Sequence, residues 1–104
     1  MYVVSRGDDL TRLFHPRSVA VVGASSNVDS PGYDYVHSLR EFGFAGDVYP
    51  VNPRGGDVDG YPAFASLAEV PAPIDLAISC VPSSAVLGVI EQCGEKAVPF
   101  LHLF

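Results

Sequence analysis

The apolar residues of this chain concentrate in four short runs. These runs are Ser18–Gly23, Asp47–Val51, Ile74–Val81 and Val98–Phe104. They lack the strict alternation of polar and apolar positions that marks a strand with one face in water. Continuous apolar runs of this length are typical of strands buried on both faces. The pattern therefore predicts four strands, and the run Ser18–Gly23 is the one predicted to be buried on both faces.

Between the runs, apolar residues recur at the spacing of amphipathic helices. One helix is predicted to begin at Ser30 and Pro31, a good cap followed by proline at the first helical position, and to end at Gly43. Its apolar positions are Val36, Leu39 and Phe42. A second helix is predicted to begin at Ser83 or Ser84 and to end at Gly94. Its apolar positions are Val86, Leu87, Ile90 and Cys93.

Two short helices and a loop fill the remaining segments. Asp8 and Asp9 predict the start of a short helix that ends before His15. The capping box Ser66–Glu69 predicts the start of another, and Asp57–Ala65 is predicted to be loop.

Strands that alternate with helices predict an α/β fold with an open parallel sheet and helices on both faces. We expect a Rossmann-like half in which the four predicted strands follow the order 3-2-1-4. Its ligand crevice would lie between strands 1 and 4. An apolar final strand would leave one sheet edge bare. Residues 1–104 are therefore expected to be one domain at the N-terminal end of a longer protein, or to be covered by a partner.

Composition narrows the possible functions. The chain has 104 residues, of which 48% are hydrophobic and 17% charged, and its net charge is −6. That is enough apolar material for a core, and the acidic balance argues against a nucleic-acid or membrane partner. No apolar run is long enough to span a membrane and no signal peptide is visible, which predicts a cytoplasmic protein. Two cysteines and three scattered histidines (His15, His37 and His102) predict no metal site.

Ligands of such sheets bind beyond the carboxyl ends of the strands, where three loops are expected. These loops are Gly23–Gly32, Val51–Gly56 and Cys80–Ser84. The first leads into a helix N-terminus, which favours a phosphate group. Ser25, Ser26 and Asn27 can add donors, and Gly32 would let a phosphate approach closely. The alternative is an ordinary connection between a strand and a helix.

The ligand is not specified by a nucleotide motif. The first loop lacks the G-x-G-x-x-G spacing, and Asn52–Arg54 stand where a ribose-binding acid would follow the second strand. Arg54 would suit a phosphate on the ribose, as in NADP or coenzyme A. A solvated charge or an ion pair with Asp57 are the alternatives.

Several segments together resemble a known family. They are Leu13–Ser25, Phe42–Arg54, Tyr61–Pro71, Ile74–Ala77 and Val81–Pro82. In this order they resemble the coenzyme A-binding domain of NDP-forming acyl-CoA synthetases, relatives of the succinyl-CoA synthetase α subunit. The resemblance runs from about Leu13 to the end of the chain. Its more specific parts are Gly23-Ala24-Ser25 and Val51-Asn52-Pro53.

The resemblance implies coenzyme A, or an acyl-CoA, as the ligand and a role for each loop. Residues expected near the CoA diphosphate are Gly23, Ala24, Ser25, Ser26, Asn27, Pro31 and Gly32. Tyr33 would either edge the ligand or pack as a core aromatic. Residues expected to flank the adenosine are Val51, Asn52, Pro53 and Arg54, with Arg54 near the 3′-phosphate. The wall along the pantetheine arm would consist of Cys80, Val81, Pro82 and Ser83.

Two departures from the family limit what the resemblance implies. Asp29 places an acid in the first loop, Gly23–Gly32, which would weaken CoA binding or favour another ligand. The family's phosphorylated histidine belongs to a following domain, and the three histidines here are expected to be structural. Cys80 could meet the CoA thiol or be a small buried residue.

We therefore expect a chain that binds without catalysing, from an ADP-forming acyl-CoA ligase whose other domains or subunits include an ATP-grasp unit. The alternatives are a stand-alone CoA-binding sensor and a regulatory domain of an acyltransferase. An NADP-binding domain is a weaker alternative, because the glycine spacing is missing.

Overall fold

A computed structural model of the chain describes residues 10–104 and the backbone of residues 2–5. The strands are β1 (Tyr2–Ser5), β2 (Ser18–Val22), β3 (Asp47–Val51), β4 (Asp57–Val58), β5 (Tyr61–Pro62), β6 (Leu76–Ser79) and β7 (Phe100–Leu103). The α-helices are α1 (Thr11–Phe14), α2 (Pro31–Glu41) and α3 (Val86–Lys96). Short 3₁₀ turns cover Leu67–Glu69 and Ser83–Ala85. The predicted helix start at Asp8 and Asp9 lies outside the described residues.

The main sheet confirms the predicted α/β class. Its strand order is β1-β7-β6-β2-β3. Within this sheet β3, β2, β6 and β7 are parallel to one another, and β1 runs antiparallel to β7. Val19 lies opposite Val48 of β3 and opposite Leu76 of β6. Both predicted long helices are present, one on each face of the sheet.

The predicted strand order 3-2-1-4 is wrong. Counted over the four predicted strands, the observed order is 2-1-3-4, so that β2 lies between β3 and β6. The helix α2 packs on the face of Val19 and Val21, whereas Leu67 packs on the opposite face. Because such crossovers are right-handed, moving the second one to the opposite face reverses the direction of travel across the sheet. The switch point therefore lies between β2 and β6.

Every residue of β2 is buried, as its continuous apolar run predicts. The core on the α2 side consists of Val19, Val21, Ala24, Val36, Val48, Val58 and Ile78. The core on the α3 side consists of Ala20, Val22, Val51, Leu67, Val70, Ile74, Ala77, Val89, Cys93, Val98 and Leu101. From Val19 to Val22, alternate residues of β2 thus enter opposite cores, which is why these four positions are apolar on both faces.

Both edges of the sheet carry additional backbone. At one edge β1 pairs with β7, with Tyr2 opposite Leu103, so the edge that the sequence left bare is occupied. At the other edge, the Phe64 N–H donates to the Pro50 carbonyl (2.9 Å) and the Asn52 N–H donates to the Phe64 carbonyl (2.8 Å). The sequence pattern missed both features, because each is a few residues long.

The segment predicted as loop over Asp57–Ala65 contains a hairpin of β4 and β5. Its tip residues Asp59 and Gly60 have φ values of 50° and 87°, which suits a two-residue turn matched to the twist of the strands. The Asp59 carboxylate accepts hydrogen bonds from Arg40 (2.9 Å) and from His37 Nδ1 (3.0 Å). Burial raises the pKa of Asp59, but these hydrogen bonds outweigh it and hold the pKa below its usual value. The hairpin is thereby fixed to α2.

The predicted helix ends are partly corrected. Ser30 caps α2 by accepting from the Tyr33 N–H (3.1 Å), as predicted. Neither Ser83 nor Ser84 caps α3, because a 3₁₀ turn precedes it. The same helix continues past Gly94 and ends at Ala97, which adopts the left-handed conformation with φ 58°.

Two further expectations of the helical pattern are wrong. Phe42 and Leu87, which the spacing placed on apolar faces, are 89% and 75% exposed. Ser66 makes no capping bond, and Glu69 accepts from the Ala65 N–H (3.1 Å) instead of from the Ser66 N–H, so the predicted capping box does not form.

A buried carboxylate joins β2 to β6 at their N-terminal ends. Asp75 accepts from the Arg12 guanidinium (2.8 Å) and from the Arg17 N–H (2.8 Å). Its own N–H donates to Ser18 Oγ (3.0 Å). Burial raises the pKa of Asp75, but these donors outweigh it, so the pKa lies below the usual 3.8. The folded state therefore favours the charged form.

We predict that Asp75→Asn lowers the free energy of unfolding by about 1–3 kcal/mol at neutral pH, because an amide group would face two donors. The contribution of a carboxylate with a lowered pKa is present above pH 3.8 and disappears as the pH falls through the folded-state pKa. The difference between wild type and variant in urea unfolding should therefore shrink in acid. The exposed Asp57→Asn should change stability by less than about 0.5 kcal/mol. Equal effects of the two substitutions would contradict the role of Asp75.

Candidate functional site

The three loops predicted to bind a ligand are joined by backbone hydrogen bonds. The Gly23 and Ala24 N–H groups both donate to the Val51 carbonyl (3.1 and 3.2 Å). The Cys80 N–H donates to the Val22 carbonyl (2.7 Å). The carboxyl ends of β2, β3 and β6 therefore form one continuous rim, which is centred on β2 and includes the switch point.

Two glycines allow the chain to pack closely at this rim. Gly23 has a φ of 84°, and a Cβ there would lie 2.8 Å from the Cys80 carbonyl oxygen. A Cβ on Gly32 would overlap the Gly23 carbonyl oxygen. Gly32 therefore permits the first turn of α2 to rest on the end of β2, a packing role in addition to the one expected from the sequence.

The loop after β2, residues 24–32, is named the phosphate loop here after its predicted role, and it is held by its own side chains. Ser25 Oγ accepts from the Asn27 N–H (3.0 Å) and Asn27 Oδ1 accepts from the Asp29 N–H (3.0 Å). Within the described residues, the N–H groups of Ser25, Ser26 and Gly32 donate to no protein acceptor. These N–H groups and the positive end of α2 are available to an anion.

Pro31 and Tyr33 occupy the first turn of α2. Pro31 is exposed near the end of the phosphate loop. The Tyr33 ring stacks on His37 with centroids 5.5 Å apart, and its hydroxyl lies 3.3 Å from Asp59. Burial, followed by the charge of Asp59, raises the pKa of Tyr33. Tyr33 thus packs against the hairpin, and its contact with a ligand stays a prediction.

The second loop contains an asparagine whose amide is used at both ends. Asn52 Nδ2 donates to the Ala24 carbonyl (2.9 Å), and Asn52 Oδ1 accepts from the Arg54 N–H (2.8 Å). The Arg54 side chain is exposed and, within the described residues, forms no ion pair with Asp57. The ion pair considered as an alternative for Arg54 is therefore not formed.

In the third loop, two neighbouring side chains lie on opposite faces of the sheet. Cys80 packs with the α2-side core, whereas Val81 packs with the α3-side core. Burial raises the pKa of the Cys80 thiol to about 11. Because the thiolate is the reactive form, this burial favours the small buried residue over a thiol that reacts with a ligand. Pro82 and Ser83 are exposed and lead into α3.

A cavity of about 400 Å³ opens between this rim and the start of α3. Its lining residues are Val22, Gly23, Val51, Pro53, Ala65, Val81, Ser84, Ala85, Gly88, Val89 and Gln92. Four predicted site residues line it, namely Gly23, Val51, Pro53 and Val81. The other predicted residues do not, and Ser84 takes the place expected for Ser83.

Sequence reasoning missed the α3 side of the cavity. The contributions of Gly88, Val89 and Gln92 follow from the position of α3 beside β2, which the wrong strand order concealed. The small residue Gly88 on an amphipathic helix was the available signal.

Two further properties concern the described part of the chain. No group of three or more His, Cys, Asp and Glu side chains there is arranged to hold a metal ion. None of its helices combines the length and the apolar character needed to cross a membrane.

Known proteins are similar to most of this chain. A family model described as "CoA binding domain" matches residues 17–104. The chain is 40% identical over 90 residues to acetate–CoA ligase [ADP-forming] II of Archaeoglobus fulgidus, a match that covers 86% of this chain and 13% of the relative. It is also 40% identical to the α subunit of acetate–CoA ligase [ADP-forming] I of Pyrococcus furiosus, with 86% and 20% covered.

A solved structure has the same fold. It is the dinucleotide-forming acetyl-coenzyme A synthetase 1 of Ca. Korarchaeum cryptofilum, in complex with phosphate and ADP, with a TM-score of 0.84 and 42% sequence identity. The match covers 86% of this chain and 19% of that one. The chain therefore spans between an eighth and a fifth of the length of these relatives.

We predict that Gly32→Ala destabilises the fold by more than about 2 kcal/mol, because the new methyl group would overlap backbone that cannot move aside freely. Thermal unfolding at neutral pH would measure this effect. The matched control is Gly88→Ala in α3, where a Cβ meets no atom within 4 Å. That substitution should stabilise the helix by up to about 1 kcal/mol. Equal effects at the two glycines would contradict the close approach of α2 to β2.

Proposed function

This chain belongs to the CoA-binding domain family, and on that premise we propose that it binds coenzyme A at the rim formed by the ends of β2, β3 and β6. The observation that carries the proposal is the joining of three loops around one cavity at the switch point of a parallel sheet. In open α/β sheets this is the place where ligands bind. The family model supports coenzyme A as that ligand.

In the proposed complex the diphosphate lies over the phosphate loop. The N–H groups of Ser25 and Ser26, together with the positive end of α2, supply donors without a general positive field. This arrangement suits a chain with a net charge of −6, which must attract an anionic ligand locally. Asp29 is exposed in the same loop and would weaken the attraction.

Arg54 is proposed to bind the 3′-phosphate. In the described residues, the guanidinium groups of Arg12 and Arg40 are bound to Asp75 and Asp59. Arg54 is exposed on the loop after β3 and has no such carboxylate. It can therefore bind a phosphate without first breaking an ion pair.

The apolar part of the ligand is proposed to use the cavity. Its walls include Val51 and Pro53 on the side assigned to the adenosine and Val81 on the side assigned to the pantetheine arm. Pro82 and Ser83 extend the second side. Cys80 contributes backbone there, since its side chain lies on the opposite face.

We further propose that the chain supplies CoA binding to an ADP-forming acyl-CoA ligase. The curated relatives named above are ligases of that class and are five or more times longer than the matched segment. The nucleotide site, in an ATP-grasp unit, and the phosphorylated histidine would then belong to other domains or subunits. The part proposed for this chain is to hold and orient the thioester-forming ligand.

Calorimetric titration of the chain with CoA, dephospho-CoA and NADPH tests the ligand. We expect saturable 1:1 binding of CoA, weaker binding of dephospho-CoA and the same weakening in Arg54→Ala. Loss of one charge-assisted contact should weaken binding about tenfold or more. The matched control is Arg17→Ala, which removes an exposed arginine at the opposite end of the strands.

Three results would contradict parts of this proposal. Binding of NADPH but not of CoA would replace the ligand. CoA affinity that is unchanged in Arg54→Ala, or reduced equally in Arg17→Ala, would remove Arg54 from the 3′-phosphate site. No binding of CoA would overturn the proposal for this chain.

A further inference from the structure

Asn52 links the two loops that are assigned to the phosphates of the ligand. Its Nδ2 reaches back to the Ala24 carbonyl, and its Oδ1 reaches forward to the Arg54 N–H. Its backbone N–H donates to the Phe64 carbonyl, and its carbonyl accepts from the Gly55 N–H (2.8 Å each). All the bonds of this side chain are therefore to protein backbone.

The Ala24 carbonyl and the Arg54 N–H flank the two proposed phosphate sites. The peptide of Ala24 is followed directly by the N–H of Ser25, which is proposed to bind the diphosphate. The backbone of Arg54 carries the guanidinium proposed for the 3′-phosphate. One amide thus bridges the phosphate loop and the backbone of the arginine.

At neutral pH an amide side chain satisfies both bonds at this position, whereas a carboxylate does not. The Ala24 carbonyl needs a donor and the Arg54 N–H needs an acceptor, and asparagine presents both groups on one carbon. An ionised aspartate would present two acceptors, one of them directed at a carbonyl oxygen. The loops would remain adjacent after substitution, because the Gly23 and Ala24 N–H groups still donate to the Val51 carbonyl.

We propose that Asn52 is a positioning residue, which sets the separation between the diphosphate site and the 3′-phosphate site without contacting the ligand. The inference rests on the proposed binding of CoA. It differs from the expectation that Asn52 flanks the adenosine directly, and it assigns the residue's effect on affinity to the two loops that it joins.

The substitution Asn52→Asp tests this role through its pH dependence. A protonated carboxyl group has one donor and one acceptor, as the amide does, whereas the ionised form has lost the donor. At about pH 8 the variant should bind CoA roughly tenfold more weakly than wild type. At about pH 4, close to the ordinary pKa of an aspartate, the ratio to wild type should fall towards one as the carboxyl becomes protonated. Comparing each variant with wild type at the same pH cancels the effect of the ligand's own phosphate, which also titrates.

A matched substitution separates positioning from simple repulsion between charges. Asn27→Asp adds the same charge within the phosphate loop, but in the described residues Asn27 uses only its Oδ1, which an aspartate retains. Asn52→Ala removes both bonds without adding charge. We expect Asn52→Ala to weaken CoA binding at both pH values and Asn27→Asp to weaken it less than Asn52→Asp at pH 8.

Amide NMR spectra without ligand give a readout that does not depend on CoA. In Asn52→Asp at about pH 8, the Ser25 and Arg54 amide signals should shift from their wild-type positions and move back towards them at about pH 4. Unchanged Ser25 signals in both Asn52 variants would overturn the inference, as would a CoA affinity in Asn52→Ala equal to that of wild type. Failure of wild type to bind CoA would instead overturn the proposed function, while the spectra would still report whether Asn52 couples the loops.

Discussion

The close approach of α2 to the end of β2 is the constraint on which the crevice depends. The first turn of the helix rests on the Gly23 carbonyl, a contact that only a glycine at position 32 allows. Gly23 itself turns through a left-handed conformation while β6 ends beside it. A phosphate loop of nine residues is thereby confined between two fixed ends, and its unpaired N–H groups are presented at the switch point instead of being free to turn inward.

The polar residues of the sheet are concentrated at its two ends. At the N-terminal ends of the strands, Asp75 joins the segments that start β2 and β6. At the C-terminal ends, Asn52 and the Val51 carbonyl join the loops that follow β2 and β3. Between them, β2 is entirely buried and contributes apolar side chains to both cores. Binding loops are thus mounted on a rigid centre, which is the arrangement that holds a site to a precise geometry.

The hydrophobic pattern predicted the elements better than it predicted their arrangement. The runs at Ser18–Gly23 and Asp47–Val51 became strands, and Ser30 capped its helix, because these features depend on residues close together in the chain. The strand order was wrong because nothing in the local pattern says which face Leu67 will cover, and the direction of a crossover depends on that face. The position of the loop between β2 and α2 was predicted correctly, whereas its contact with a phosphate stays a prediction. The contribution of Gln92 to the cavity was not predicted, because it depends on the strand order. The bond from Asn52 to Ala24 was also missed, since a side-chain bond across 28 residues leaves no local signal.

The backbone at both edges of the sheet has a consequence for how this protein meets other molecules. An exposed strand edge is a template for pairing with another chain, and native proteins avoid it by covering the edge or by placing proline there. Here β1 occupies one edge, while Phe64 and Pro50 close part of the other. Lateral growth of the sheet is thus opposed from both sides. The outermost strand on the first side, β1, is only four residues long and therefore offers a short template for pairing with another chain.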